Sequence, residues 1–150
     1  MNILIVDDEE AQRLLMRNFF MLEGWNVFLA EDGADALGKM KRDRMDIIVS
    51  DIYMPVMDGI KLHRTVRGMP GYEKLPFLFV SAFDDQYTMD AVKSPKIDGF
   101  FRKGRPVNEL KEWVLYLTAP EELRPKFPPG QNPKLGSFDP YRGRRIQSVR

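Results

Sequence analysis

Four short apolar runs punctuate the chain, and each stops abruptly at polar residues. They are Ile3-Leu4-Ile5-Val6 before Asp7-Asp8, Ile47-Ile48-Val49 before Ser50-Asp51, Phe77-Leu78-Phe79-Val80 before Ser81, and Phe100-Phe101 before Arg102-Lys103. Runs that are apolar at successive positions suit strands covered by helices on both sheet faces, as in a parallel sheet. Between them the period changes from two to that of a helix. Residues 11–23 place Leu14, Leu15, Phe19 and Leu22 on one predicted helical face, with Gly24 positioned to end the helix in a left-handed conformation. Residues 26–30 predict a second strand, Asp32-Gly33 a turn, and residues 34–41 a helix with Ala34, Leu37 and Met40 inward. Further helices are predicted over residues 60–67, around 86–92 and over 106–117. The last of these carries Val107, Leu110, Trp113, Val114 and Leu117 at helical spacing, with Pro106 near its first turn. The predicted fold is α/β: a doubly wound, five-stranded parallel sheet with five helices.

In such a sheet the carboxyl ends of the strands lie along one edge, where ligands bind. That edge would gather Asp7, Asp8, Asp51, Ser81 and Lys103. A carboxylate fixed at a strand end, such as Asp51, suits in-line attack on phosphorus to form an acyl phosphate. As an anion attacking a polyanion it needs a neutralising divalent cation, and Asp7 and Asp8 are the acids available to hold one. Oxygen-only ligands favour magnesium. Lys103 supplies a cation and Ser81 a hydroxyl for phosphoryl oxygens. Taken singly, Asp7-Asp8 could instead be a charge pair at a helix N-terminus, Ser81 a strand-end hydroxyl and Phe100 core packing. Asp58-Gly59 reads as a turn. His63, the only histidine, reads as a solvent-facing or half-buried structural residue away from the motifs.

The four linked motifs, Ile3 to Glu9, Ser50 to Gly59, Ser81-Ala82 and Phe100 to Lys103, strongly resemble the receiver domain of two-component response regulators. The resemblance covers about residues 1–118. It implies that Asp51 accepts phosphate from a histidine kinase or phosphotransfer protein. It further implies that Asp8, Asp51 and the carbonyl of Tyr53 bind magnesium directly, and that Asp7 assists through water. Ser81 and Lys103 would contact the phosphoryl group, and Ser81 and Phe100 would form the switch. Self-phosphorylation and self-dephosphorylation are then the only catalysis expected. The family commonly has Lys-Pro, often cis, where this chain has Lys103-Gly104-Arg105-Pro106; a Lys-Gly bond is expected to be trans, because cis costs ~2.5–4 kcal/mol without proline. Positions two beyond Asp51 and two beyond Ser81, which tune phosphate lifetime in the family, are here the aromatics Tyr53 and Phe83.

Composition adds a boundary. Residues 1–118 hold 16 Lys or Arg against 19 Asp or Glu, whereas residues 119–150 hold 7 against 3 and 6 of the 11 prolines. The expected division is a receiver domain over 1–118 and a Pro-rich basic tail or linker over 119–150. The tail reads either as a strap docking Phe127, Phe138 or Tyr141 on its own domain or a neighbouring subunit, or as a linker toward a missing output domain. Its Arg142, Arg144 and Arg145 make nucleic-acid contact conceivable, but without a folded basic surface that role is not expected. There is no cysteine, no signal-peptide pattern and no apolar run long enough to span a bilayer, so a soluble cytoplasmic protein without membrane contact is expected. Partners would be the phosphodonor, a downstream protein target and, in the case of a homodimer, a second copy. Two alternatives stand beside the switch: a non-switching receiver-like scaffold, and an aspartate-nucleophile phosphohydrolase. The latter wants an Asp-x-Asp pair after the first strand, which Asp7-Asp8-Glu9 does not supply.

Overall fold

A computed structural model describes residues 1–83, 89–90 and 93–131. Among these the chain alternates β1 (Asn2–Val6), α1 (Glu10–Leu22), β2 (Asn26–Ala30), α2 (Gly33–Arg42), β3 (Ile47–Asp51), α3 (Gly59–Arg67), β4 (Phe77–Ser81), β5 (Asp98–Arg102) and α4 (Val107–Thr118). The strands form one parallel sheet in the order β2-β1-β3-β4-β5. The expected α/β sheet is therefore present with four described helices rather than five. The helix expected around 86–92 falls mostly outside the described residues, of which Met89 and Asp90 are helical.

Alternation along each strand divides the core into two layers. Leu4, Val6, Ile48, Phe77 and Phe79 pack under α2 and α3 through Ala36, Met40, Leu62 and Val66. Ile3, Ile5, Val49, Leu78 and Phe101 pack under α1 and α4 through Met16, Phe20, Leu110, Trp113 and Val114. Gly99 lets α4 approach β5, because a Cβ there would sit 2.8 Å from the Trp113 ring. Asp32 and Asp58 cap α2 and α3, each accepting the amide three residues on at 2.8 Å. Gly24 ends α1 at φ +79°, as its placement predicted.

Helix faces are where the sequence reading needs correcting. In α1 the buried residues are Met16 and Phe20, while Leu15 and Leu22 are exposed. In α2 the inward residue is Ala36, not Ala34. Val107 is 42% exposed at the first turn of α4, although the rest of its stripe is buried. In each case several apolar residues compete for one stripe about 100° wide, and the sheet admits only one set. His63 is neither solvent-facing nor half-buried: it is buried on α3 in the stripe Gly59, Leu62, His63, Val66.

Beyond α4, a 3₁₀ turn at Glu121–Leu123 begins a strap that reaches Gln131. Of the tail aromatics named above, Phe127 lies within the described residues and is half-buried; Phe138, Tyr141 and the arginines at 142, 144 and 145 lie outside them. Among the described residues no helix is long and apolar enough to cross a membrane.

Candidate functional site

The sheet delivers the predicted chemistry to one edge. β1 ends at Val6, in register with Ser50 of β3, so Asp7 and Asp51 emerge side by side. Asp51 is level with Val80 of β4, and Ser81 with Arg102 of β5. The Lys103 amide donates to the Ser81 carbonyl at 2.8 Å, carrying the β4–β5 ladder one residue further and placing the lysine at the edge.

Asp51 is almost wholly buried. Its Oδ1 accepts the Ile52 amide at 2.7 Å and its Oδ2 accepts Lys103 Nζ at 2.9 Å. Burial raises the Asp51 pKa and the neighbouring Asp7 charge adds to that; the Lys103 hydrogen bond and charge oppose the rise without cancelling it. Burial works against the Lys103 ammonium too, but the Asp51 hydrogen bond and the charges of Asp7 and Asp51 outweigh it and raise its pKa above the ordinary lysine value. One cation thus serves two buried carboxylates, which is a charge-poor arrangement.

Asp7 is fully buried. Its Oδ1 accepts the Glu9 amide at 2.9 Å. Its Oδ2 makes no hydrogen bond. Lys103 Nζ stands 3.0 Å from that oxygen, close enough to pair by charge but poorly aligned to donate. Asp8 is exposed, and carboxylate oxygens of Asp7, Asp8 and Asp51 lie within 4.8 Å of one another. A buried carboxylate oxygen without a donor, in a group of three acids with oxygen ligands only, fits a hard divalent cation.

Ser81 is fully buried, and its Oγ accepts the Phe83 amide at 3.1 Å. In this state its hydroxyl serves the loop it begins. Tyr53, two residues past Asp51, meets Phe83 edge to face with ring centroids 5.5 Å apart, and both rings are more than half exposed. Phe100 is half-buried against the α2–α3 layer of the core. There are no cis peptide bonds among the described residues. Gly104 takes φ +92° and the Arg105 amide meets the Arg102 carbonyl at 3.3 Å, so a glycine-dependent turn follows Lys103.

Two features escaped the sequence reading. Asp58-Gly59 is more than a turn. Asp58 caps α3, and a Cβ on Gly59 would lie 2.1 Å from the Asp51 carbonyl oxygen, so glycine alone lets α3 begin beneath Asp51. The second is a buried polar group at the opposite end of β5, where Asp98 takes His63, Arg67 and the Ser94 amide. Helical spacing from Gly59 through Leu62 to Val66 places His63 inward and could have revealed it.

Comparison with known proteins agrees with this geometry. The family model described as the response regulator receiver domain matches residues 3–115. The response regulator MprA of Mycobacterium tuberculosis is 34% identical over 123 residues, covering 80% of this chain and 53% of MprA. The chain thus spans about half the length of the curated relatives it matches. Among solved structures, chemotaxis protein CheY4 of Vibrio cholerae is 28% identical with a TM-score of 0.72, covering 77% of this chain and 97% of CheY4. Response regulator TrrA of Thermotoga maritima, solved in complex with magnesium and beryllium fluoride, is 30% identical with a TM-score of 0.68, covering 77% and 97%.

Proposed function

Because the chain belongs to the response regulator receiver domain family, we propose that it accepts a phosphoryl group on Asp51 from a histidine kinase or phosphotransfer protein and signals by changing its protein contacts. The observation that carries this is the Asp51–Lys103–Asp7 cluster, with Lys103 Nζ 2.9 and 3.0 Å from the two acids. An Asp51 oxygen attacks phosphorus as the bond to the donor imidazole nitrogen breaks, and the imidazole leaves as the electron pair returns to it. Asp8, Asp51 and the Tyr53 carbonyl would hold magnesium, with Asp7 assisting through water. When bound, the ion supplies neutralisation of the like charges that donor and acceptor bring together.

Lys103 orients and reads the product. It already sits on Asp51, so a new phosphoryl oxygen finds an ammonium within reach. Ser81, released from the Phe83 amide, donates to a second oxygen. Such charge-assisted bonds contribute about 1.5–3 kcal/mol each, enough to bias a two-state equilibrium. Movement of Ser81 leaves room that Phe100, beside Phe79 in the β4–β5 register, fills by rotating inward. The Lys103-Gly104 departure is compatible with switching, because the Gly104 turn keeps the lysine at the acids.

We assign residues 1–118 to the receiver and 119–150 to an extension, in a cytoplasmic protein whose downstream target or output domain is recognised through the changed surface. The test is mass spectrometry after acetyl phosphate treatment with and without magnesium. One phosphoryl adduct on Asp51, dependent on the metal and lost in Asp51→Ala, is expected; continued turnover of phosphate esters would instead favour the phosphohydrolase alternative.

A further inference from the structure

The strap after α4 folds back along that helix. Arg124 fastens its start: Nε donates to the Ala119 carbonyl at 3.0 Å, Nη2 to the Leu117 carbonyl at 3.1 Å and Nη1 to the Lys96 carbonyl at 2.5 Å. Its guanidinium also lies 5.3 Å from the centre of the Tyr116 ring. These bonds satisfy carbonyls that a helix end leaves open and tie α4 to the loop before β5. Glu121 adds an ion pair to Lys96 at 2.9 Å.

From there the strap runs antiparallel to α4 toward its first turn. A turn at Pro128–Gln131, closed by a 3.1 Å hydrogen bond and with Gly130 at φ +75°, brings its tip to Glu109. A Cβ on Gly130 would lie 3.0 Å from Glu109 Oε1. Between helix and strap is a mainly apolar groove of about 400 Å³, including Leu115, Tyr116, Phe127 and Pro128. Glu109 is also paired with Arg105, with Nη2 to Oε1 at 2.8 Å. Arg105 stands two residues beyond Lys103.

We propose that the outward face of α4 is an interaction surface occupied by the chain's own residues 119–131, and that phosphorylation loosens this cover through the Lys103–Arg105–Glu109–Gly130 connection. The inference rests on the proposed phosphoacceptor role. The cover is seated on a state in which Lys103 holds Asp51 and Asp7. A phosphoryl group redirects Lys103, Gly104 transmits the displacement to Arg105, and the seat of Gly130 on Glu109 shifts. A strap held mainly at its two ends tolerates little displacement of either before contact is lost. The α4 face then becomes open to a second protein.

The test is hydrogen exchange on the full chain with magnesium, with and without beryllium fluoride, while fluorine NMR of the bound fluoride reports separately whether the site has been occupied. Amide exchange over residues 119–131 is expected to rise at least about five-fold on occupancy, the lower range of ordinary coupling between sites. Arg124→Ala should show fast exchange in both conditions, and Glu109→Gln should retain a slow strap that no longer responds. Failure of the site to be occupied would refute the phosphoacceptor role; occupancy with unchanged strap exchange would refute the coupling alone. Equal responses of wild type and Glu109→Gln would refute the route.

Discussion

His63 Nε2 and Asp98 Oδ2 lie 3.0 Å apart, both residues buried, joining the middle of α3 to the first residue of β5. Phe77 and Phe79 flank the imidazole, each with ring centroids 4.9 Å away. Asp98 also binds the Arg67 guanidinium and accepts the Ser94 amide at 2.6 Å. One carboxylate thereby fixes α3, β5 and the segment entering β5, the strand that carries Phe100 and leads to Lys103.

Removing His63 leaves Asp98 buried with fewer donors. His63→Ala should cost about 2–4 kcal/mol of stability, combining a lost buried bond with a cavity against two phenylalanines. His63→Gln, whose amide nitrogen can donate to Asp98, should recover part of that loss. Urea unfolding of both variants measures it, and equal losses would show that packing rather than the bond to Asp98 sets the cost.

The two perturbed carboxylates should act oppositely on the pH dependence of stability. Burial works to raise the Asp98 pKa, but the His63 hydrogen bond, the Ser94 amide and the charges of His63 and Arg67 outweigh it and hold the pKa below 3.8. Its stabilisation is therefore full above 3.8 and lost as pH falls through the depressed value. Asp51 is raised above 3.8, chiefly by burial. Its contribution is full below 3.8 and lost as pH climbs through the raised value. In chelator, Asp98→Asn should flatten the acid side of the stability curve. Asp51→Asn should remove the loss on the way to neutrality and abolish phosphoryl labelling. Denaturation midpoints across pH check both signs.

Gly59 predicts a sharper failure. A methyl group there meets the Asp51 backbone, which is fixed in the central strand, rather than a side chain that can rotate. Gly59→Ala should cost about 3 kcal/mol or more, at the upper end for a single substitution, and slow labelling of Asp51 by shifting its carboxylate. Thermal unfolding together with the labelling rate tests this; a variant as stable and as readily labelled as wild type would show that α3 can start further from β3.

These sites differ in how openly the sequence displays them. Asp7, Asp51, Ser81 and Lys103 were legible because each ends an apolar run, and parallel strands bring run ends together by geometry alone. The fit of this acidic cluster to a hard divalent cation was legible from residue type, since its ligand atoms are all oxygens. Helix faces were harder: Leu14, Leu15, Met16, Phe19, Phe20 and Leu22 crowd α1, and the facing strands, not the helix period, select Met16 and Phe20. Gly59 and Gly99 were opaque for another reason. Their role is to lack atoms where backbone or an indole comes close, which only the assembled layers reveal. His63 was legible in principle from its stripe, but its partner Asp98 is 35 residues away and nothing local announces the pairing.

Tyr53 and Phe83, two residues beyond Asp51 and Ser81, meet as an edge-to-face pair. Apolar rings beside a phosphoaspartate hinder the approach of an in-line water. Phe83→Ala combined with Tyr53→Asn should therefore speed loss of the phosphoryl group by about ten-fold, a barrier change of about 1.4 kcal/mol. The decay of labelled protein in magnesium measures it. An unchanged half-life in the double variant would remove the aromatics from the account, as would a half-life of only seconds in the wild type.

Gly104 allows the most direct test of how Lys103 is held. At φ +92° with nothing within 4 Å of an added Cβ, Gly104→Ala introduces a backbone penalty without a clash, about 1–2 kcal/mol. Labelling of Asp51 should persist, because the Lys103 amide remains bonded to the Ser81 carbonyl. Gly104→Pro is different, since proline requires φ near −65°. The turn must be rebuilt, and Lys103 then leaves its position between Asp51 and Asp7. The Lys103 pKa, held up by those two acids, should fall toward the ordinary lysine value, and the two buried carboxylates should repel until magnesium is added. Side-chain NMR titration of Lys103 in wild type, Gly104→Ala and Gly104→Pro reads this directly. If the proline variant keeps the raised lysine pKa and wild-type stability in chelator, the positive φ of Gly104 is not what places the ammonium, and the departure from Lys-Pro carries no structural weight.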